Sequence, residues 1–250
     1  MQQLKRLYRS SYSGESVVKN LIYQDQTWTP ETEHVPNSVF NTHTTTQAVV
    51  IGNGESRLQF NLDFVIRHVS GLGGVNSLQS YGCNALYRDY TPDFLIAVGD
   101  EIIQEIAASN YCDNNIVYTN ADYLLDNPGK FYLIPQNLYF DAGAVAAYMA
   151  CFDGHRKVFL LGYDSYDTDG PYNNVYKDTA GYELSDRTHS HVYFTKSLHA
   201  VMTCYSNVEF IRVMPADTWW RHDHHELLPN FRQIDYNDFV LEADLGLIAN

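Results

Sequence analysis

The stretch Gln47-Ala-Val-Val-Ile-Gly-Asn-Gly-Glu-Ser56 constrains the fold more than any other part of the chain. Val49, Val50 and Ile51 read as a buried strand, because the run is apolar, β-branched and short. It ends abruptly at Gly52-Asn53-Gly54. Glycine lets the backbone turn tightly where a Cβ would block a close-lying phosphate or ribose, so the turn predicts a nucleotide loop at the end of a parallel strand. The third glycine of the dinucleotide fingerprint is missing, which argues against NAD. The plainer reading of the same residues is a strand and turn without a ligand.

Composition narrows the class. With 250 residues, 45% of them hydrophobic, the chain can bury one sizeable core, and one main domain is expected. The net charge of -14, with only 16 Lys and Arg, argues against a broad duplex-binding face. Cys83, Cys112, Cys151 and Cys204 are widely spaced with no CxxC pair, as expected of buried thiols in a reducing compartment. No apolar run approaches the ~20 residues of a membrane span, and Met1-Gln-Gln-Leu-Lys-Arg-Leu-Tyr8 lacks the apolar core of a signal peptide. A cytoplasmic protein is expected.

Residues 1–46 are polar and read as an N-terminal arm or lid. Residues 47–215 alternate between strand and helix patterns. Strands are predicted at Ser80 to Ala85, Asp93 to Val98, Ile116 to Thr119, Lys130 to Ile134, Lys157 to Leu161 and Val208 to Val213. Helices are predicted at Asn61 to His68, Glu101 to Ser109, Ala142 to Phe152 and Phe194 to Cys204, the third being favoured by its run of alanines. Residues 216–250 read as a C-terminal extension packing on this domain. The pattern predicts an α/β, Rossmann-like fold: a mostly parallel sheet with helices on both faces and a smaller irregular C-terminal excursion.

In such folds ligands settle outside the carboxyl ends of the strands. Four polar clusters fall at predicted strand ends: Gly52-Asn-Gly-Glu-Ser56, Cys83-Asn84, Gly99-Asp100 and Gly162-Tyr-Asp-Ser-Tyr166. Asn53 and Asn84 each offer an amide donor and acceptor to a base, ribose or phosphate, although asparagine also serves as a turn residue bonded to its own backbone.

The order of Gly52-Asn-Gly-Glu-Ser56, Cys83-Asn84, Asp141-Ala-Gly-Ala-Val-Ala-Ala-Tyr-Met-Ala150, Val158-Phe-Leu-Leu-Gly-Tyr-Asp-Ser-Tyr166 and Asp186-Arg-Thr-His189 resembles the bacterial sialyltransferases that build lipooligosaccharide. More loosely, it is similar to Rossmann-like proteins related to a pterin diphosphokinase. The resemblance spans roughly residues 47–215. It implies a cytidine nucleotide sugar held by Gly52, Asn53, Gly54, Ser56 and Asn84, and contacted by Ala142 and Gly143 at a helix N-terminus that suits an anion. Tyr166 and Tyr172 match the tyrosines that carry the leaving phosphate. The general base falls at His189, at His191 with a small gap, or at Tyr193 without one. Histidine suits the task, since its ordinary pKa of about 6.5 lies near neutrality. Glu55 stands where the family has proline, beside the phosphate that the resemblance implies.

Two further clusters offer ligand chemistry. His222, His224, His225 and Glu226 supply ligand types for a metal but lack the spacing of a zincin helix. Asp164, Asp167 and Asp169 read either as ligands of a divalent ion or as a turn. These readings converge on a metal-independent glycosyltransferase without a cofactor. It would move a sugar from a CMP- or UDP-linked donor to a glycan, small-molecule, lipid or protein hydroxyl, with nucleic acid the less expected acceptor and a homo-oligomer compatible with this reading. The rivals are a pyrophosphokinase holding Mg²⁺ on Asp100, Asp164 and Asp167, and a non-catalytic nucleotide- or glycan-binding protein. Asp100, at the end of the strand predicted at Asp93 to Val98, is also expected among the substrate-binding residues.

Overall fold

The computed structural model describes residues 2–9, 16–35, 47–68, 78–164, 173–183, 191–217 and 224–245. The chain opens with three strands, β1 (Gln2–Arg9), β2 (Ser16–Gln24) and β3 (Thr27–Val35), which pair antiparallel in sequence order. Asp25 and Gln26 close the second hairpin with φ values of 51° and 62°, the double left-handed turn whose twist matches paired strands. The polar N-terminal arm therefore contributes a meander to the sheet.

The α/β alternation follows. Strand β4 (Gln47–Ile51) leads through a 3₁₀ turn at Glu55–Gln59 to α1 (Leu62–His68). Next come β5 (Leu78–Cys83), β6 (Phe94–Ile96), α2 (Asp100–Ala108), α3 (Tyr111–Asn114), β7 (Ile116–Thr119), α4 (Ala121–Asp126) and β8 (Tyr132–Leu133). The second half holds α5 (Ala142–Phe152), β9 (Lys157–Leu161), α6 (His191–Cys204) and β10 (Glu209–Val213). The C-terminal extension carries β11 (Phe231–Ile234), parallel to β10, and α7 (Tyr236–Glu242).

The strands form one sheet in the order β11-β10-β9-β4-β5-β6-β7-β8-β1-β2-β3. From β11 to β8 every pairing is parallel, and β1 joins β8 in parallel through Lys5 and Tyr132. This is the α/β, Rossmann-like architecture that the alternation predicts. Successive side chains of a strand point to opposite faces, and both faces of β4 are buried: Val49 and Ile51 pack with α1, α2 and α7, whereas Ala48 and Val50 pack with α5 and α6. Helix α5 is buried almost throughout, which accounts for alanines where a surface helix would carry charges.

Strand β4 lies between β5 and β9. The chain runs outward from β4 to β8 on one side, then returns to β9 and runs outward to β11 on the other. The boundary between β4 and β9 is thus a topological switch point, where loops at the carboxyl edge diverge and leave a crevice.

Candidate functional site

The crevice at the switch point is an open cleft with about 770 Å³ of empty space. It is lined by Gly52, Asn53 and Gly54 after β4, Cys83 and Asn84 at the end of β5, and Asp141, Ala142 and Gly143 at the start of α5. Gly162, Tyr163 and Asp164 after β9 form another wall, with Asn174, Tyr182 and Phe194 around the mouth. Three motifs far apart in sequence therefore meet: Gly52-Asn53-Gly54, Asn84 and Ala142-Gly143. Ser56 and Asp100 are not among the lining residues. Ser56 donates its N–H to Asp164 Oδ2 at 2.9 Å and its hydroxyl to Oδ1 of the same carboxylate. Asp100 accepts from the Tyr123 hydroxyl at 2.7 Å, so it and Asp164 are not brought together at the cleft.

The glycine loop owes its shape to protein contacts. Gly52 N donates to Leu161 O at 2.8 Å, while Glu55 N donates to Asn173 Oδ1 at 2.7 Å. Together with the N–H groups of Gly54 and Ser56, these donors are spent inside the protein, so four of the five amides from Gly52 to Ser56 are not offered to a phosphate. A Cβ on Gly52 would lie 2.6 Å from Gly162 O, and Gly162 itself has φ +66°. The space these glycines leave is filled by the loop after β9, a physical reason for them that needs no ligand. Glu55 turns outward to pair with Lys177 at 2.5 Å, away from the cleft lining.

The two asparagines are placed differently. Asn53 donates Nδ2 to Cys83 O at 3.2 Å, and its Oδ1 is buried without a hydrogen-bond partner. Asn84 sits at φ 46°, a left-handed conformation that asparagine tolerates, and accepts from Val98 N at 2.9 Å. Its Oδ1 thus ties the end of β5 to the segment after β6, and its amide nitrogen is the group left for a ligand.

The start of α5 departs from the expected anion site. Asp141 is the N-cap: its Oδ1 accepts from Ala144 N at 2.9 Å, so the helix supplies its own anion. Its Oδ2 is buried and makes no hydrogen bond. Burial pushes the Asp141 carboxyl up to about 6, opposed by backbone donors at Ala144 and Gly143 and by the Ser197 hydroxyl. A phosphate here would meet a carboxylate, which corrects the expectation that this helix end receives one. In the sequence Asp141 stands only as the start of the alanine-rich motif. The signal available was an Asp directly before an alanine-rich helix, the usual N-cap pattern.

Cys83 and Tyr163 complete this wall. The Cys83 thiol donates to Ala142 O at 3.6 Å, and burial, reinforced by the Asp141 charge, pushes it up to about 12. The Tyr163 hydroxyl donates to Gly143 O at 2.7 Å, and burial holds this phenol far above its ordinary range. Both groups stay protonated at neutral pH.

His189, Tyr166 and Tyr172 lie outside the described residues, as do Asp167, Asp169, Asp186 and His222. His191 opens α6, its side chain outside the described set. Tyr193, on the same helix, donates its hydroxyl to Tyr139 O at 3.1 Å and does not line the cleft, whereas its neighbour Phe194 does. His225 is buried: Nε2 donates to Thr195 O at 3.0 Å and Nδ1 accepts from Arg212 at 3.2 Å. Both ring nitrogens are thereby used in packing α6 against β10. Among the described residues no group of three or more His, Cys, Asp or Glu side chains is placed to hold a metal ion.

Comparison with protein-family models, curated proteins and solved structures finds no match for this chain.

Proposed function

We propose that the cleft binds the nucleotide of a nucleotide-sugar donor, and that the protein is a glycosyltransferase moving the sugar to an acceptor hydroxyl. The observation that carries this reading is the meeting of Gly52-Asn53-Gly54, Asn84 and Ala142-Gly143 in one crevice at the switch point of a parallel sheet. The order of the same motifs resembles sialyltransferases, which favours a CMP- or UDP-linked donor. Asn53 and Asn84 suit the hydrogen-bonding edge of a base or the hydroxyls of a ribose, and Phe194 offers a ring at the mouth for stacking. With the amides of Gly52, Gly54, Glu55 and Ser56 occupied, the base and ribose of the donor are the parts that the glycine loop and Asn84 recognise. Four free cysteines fit a reducing compartment such as the cytoplasm, and among the described residues no helix is long and apolar enough to cross a membrane.

A thermal-shift series with CMP, UDP, GDP, ADP, NAD and ATP, each with and without Mg²⁺, tests the reading. Stabilisation by CMP or UDP without metal is expected, about 2.7 kcal/mol at a hundredfold excess over Kd. Asn53→Ala should abolish it. A shift seen only with ATP and Mg²⁺ would replace this reading by the pyrophosphokinase, and none with any nucleotide would overturn it.

A further inference from the structure

We propose that Asp141 is the general base of this cleft, its Oδ2 taking the proton of the attacking acceptor hydroxyl. The assignment rests on the transferase reading above. The N-cap divides the carboxylate into two different atoms: Oδ1 is committed to Ala144 N, while Oδ2 is buried beside the cleft and meets no donor in hydrogen-bonding geometry, the Ser197 hydroxyl included. A buried carboxylate oxygen without a donor is costly, and a substrate hydroxyl supplies the missing hydrogen bond. The cap also fixes the carboxyl on a rigid helix end, as a base needs.

The groups facing Asp141 leave it free to act. Cys83 from β5 and Tyr163 from the loop after β9 are the titratable neighbours, both held in their protonated forms, and α6 contributes the uncharged Ser197 hydroxyl. Arg57, in the 3₁₀ turn after the glycine loop, acts on Cys83, and no ion pair with Asp141 is formed among the described residues. A carboxyl titrating near 6 is ionised at neutral pH yet more basic than an exposed aspartate. The other carboxylate on the cleft, Asp164, is engaged by both donors of Ser56.

In the step itself the acceptor O–H proton passes to Asp141 Oδ2 and the freed oxygen bonds to the anomeric carbon. The bond between that carbon and the phosphate oxygen breaks, and its electron pair leaves with the nucleotide.

Asp141→Asn preserves a good N-cap and removes the base. Nucleotide release from CMP- and UDP-linked sugars is followed from pH 5 to 8 for the full chain and this variant, alongside thermal shifts with CMP and UDP. In the unsubstituted protein, release should rise with pH through about 6. The variant should bind nucleotide normally, release it about 100-fold more slowly or worse, and lose that pH step. Asp141→Ser, another capping residue, should behave alike and serves if the asparagine variant does not fold. Release in either variant with the native rate and pH step overturns the base while leaving the transferase standing. Loss of nucleotide binding together with release also overturns it, placing Asp141 in the binding wall. An unsubstituted protein that releases nothing from these sugars overturns the transferase reading and this inference with it.

Discussion

The amide of Gly54 donates to the carbonyl of Gly162 at 2.9 Å, and a Cβ on Gly54 would come within 2.7 Å of that oxygen and 2.5 Å of Asp164 Cγ. The loops after β4 and β9 therefore touch through the Gly162 backbone and through the Asp164 side chain, which both donors of Ser56 hold in place. Gly54→Ala should cost about 1–3 kcal/mol in urea unfolding, the usual range for overpacking. It should also weaken CMP or UDP stabilisation, because the loop carries Asn53.

Asn84 separates conformational strain from chemistry. Asn84→Ala removes the Val98 contact and forces a Cβ-bearing residue without a polar side chain to hold φ 46°. Asn84→Gly removes the same contact but accepts that φ freely. The glycine variant should be the more stable by about 1 kcal/mol in thermal or chemical denaturation. Neither should keep nucleotide stabilisation, since both lack the amide.

Asp141 makes stability depend on pH in a defined direction. Its folded carboxyl titrates near 6 against an ordinary 3.8, so between these values the folded state holds more protons than the unfolded chain. Stability must then fall as pH rises through that window and stay lowered above it. Asp141→Asn escapes this loss. Its melting temperature relative to the native protein should climb from pH 4 to pH 6 and level off beyond, with a gain of up to about 3 kcal/mol.

The Glu55–Lys177 pair lies at the surface, with side chains 37% and 46% exposed, so solvent screens it. Glu55→Gln should change unfolding free energy by less than about 0.5 kcal/mol. Nucleotide shifts should not change, because Glu55 does not line the cleft.

Thiol labelling reports burial directly. Cys204 is exposed, whereas Cys83 and Cys151 are buried and burial raises both thiols. Iodoacetamide followed by peptide mass spectrometry should modify Cys204 first and reach Cys83 and Cys151 only as the protein unfolds.

The elements legible in the sequence were those whose local composition agrees with their burial. Helix α5 runs from Ala142 to Phe152 as its alanines predict, and β4 and β9 follow their apolar runs. Strand β11 was missed because only Phe231 and Ile234 are buried, with Arg232 and Gln233 between them, so no alternation marks it. The meander β1–β3 was hidden by its polar composition and by an Asp25-Gln26 turn lacking the usual glycine. At the cleft, strand-end reasoning placed Asn53 and Asn84 together, and the resemblance added Ala142 and Gly143. What a single sequence does not carry is long-range pairing: that Gly162 would fill the space beside Gly52 and Gly54, that Lys177 would draw Glu55 outward, or that Tyr123 would engage Asp100.

The place of β4 also sets when the cleft comes into being. Gln47 pairs with Leu78 on one side and with Lys157 on the other, so the two banks of the crevice come from opposite halves of the chain. During vectorial synthesis the first bank can assemble early, but Gly52 and Gly54 have nothing to close against until β9 and the turn at Gly162 have emerged. A nascent chain ending before β9 would hold every residue of the glycine loop and still have no place for a nucleotide.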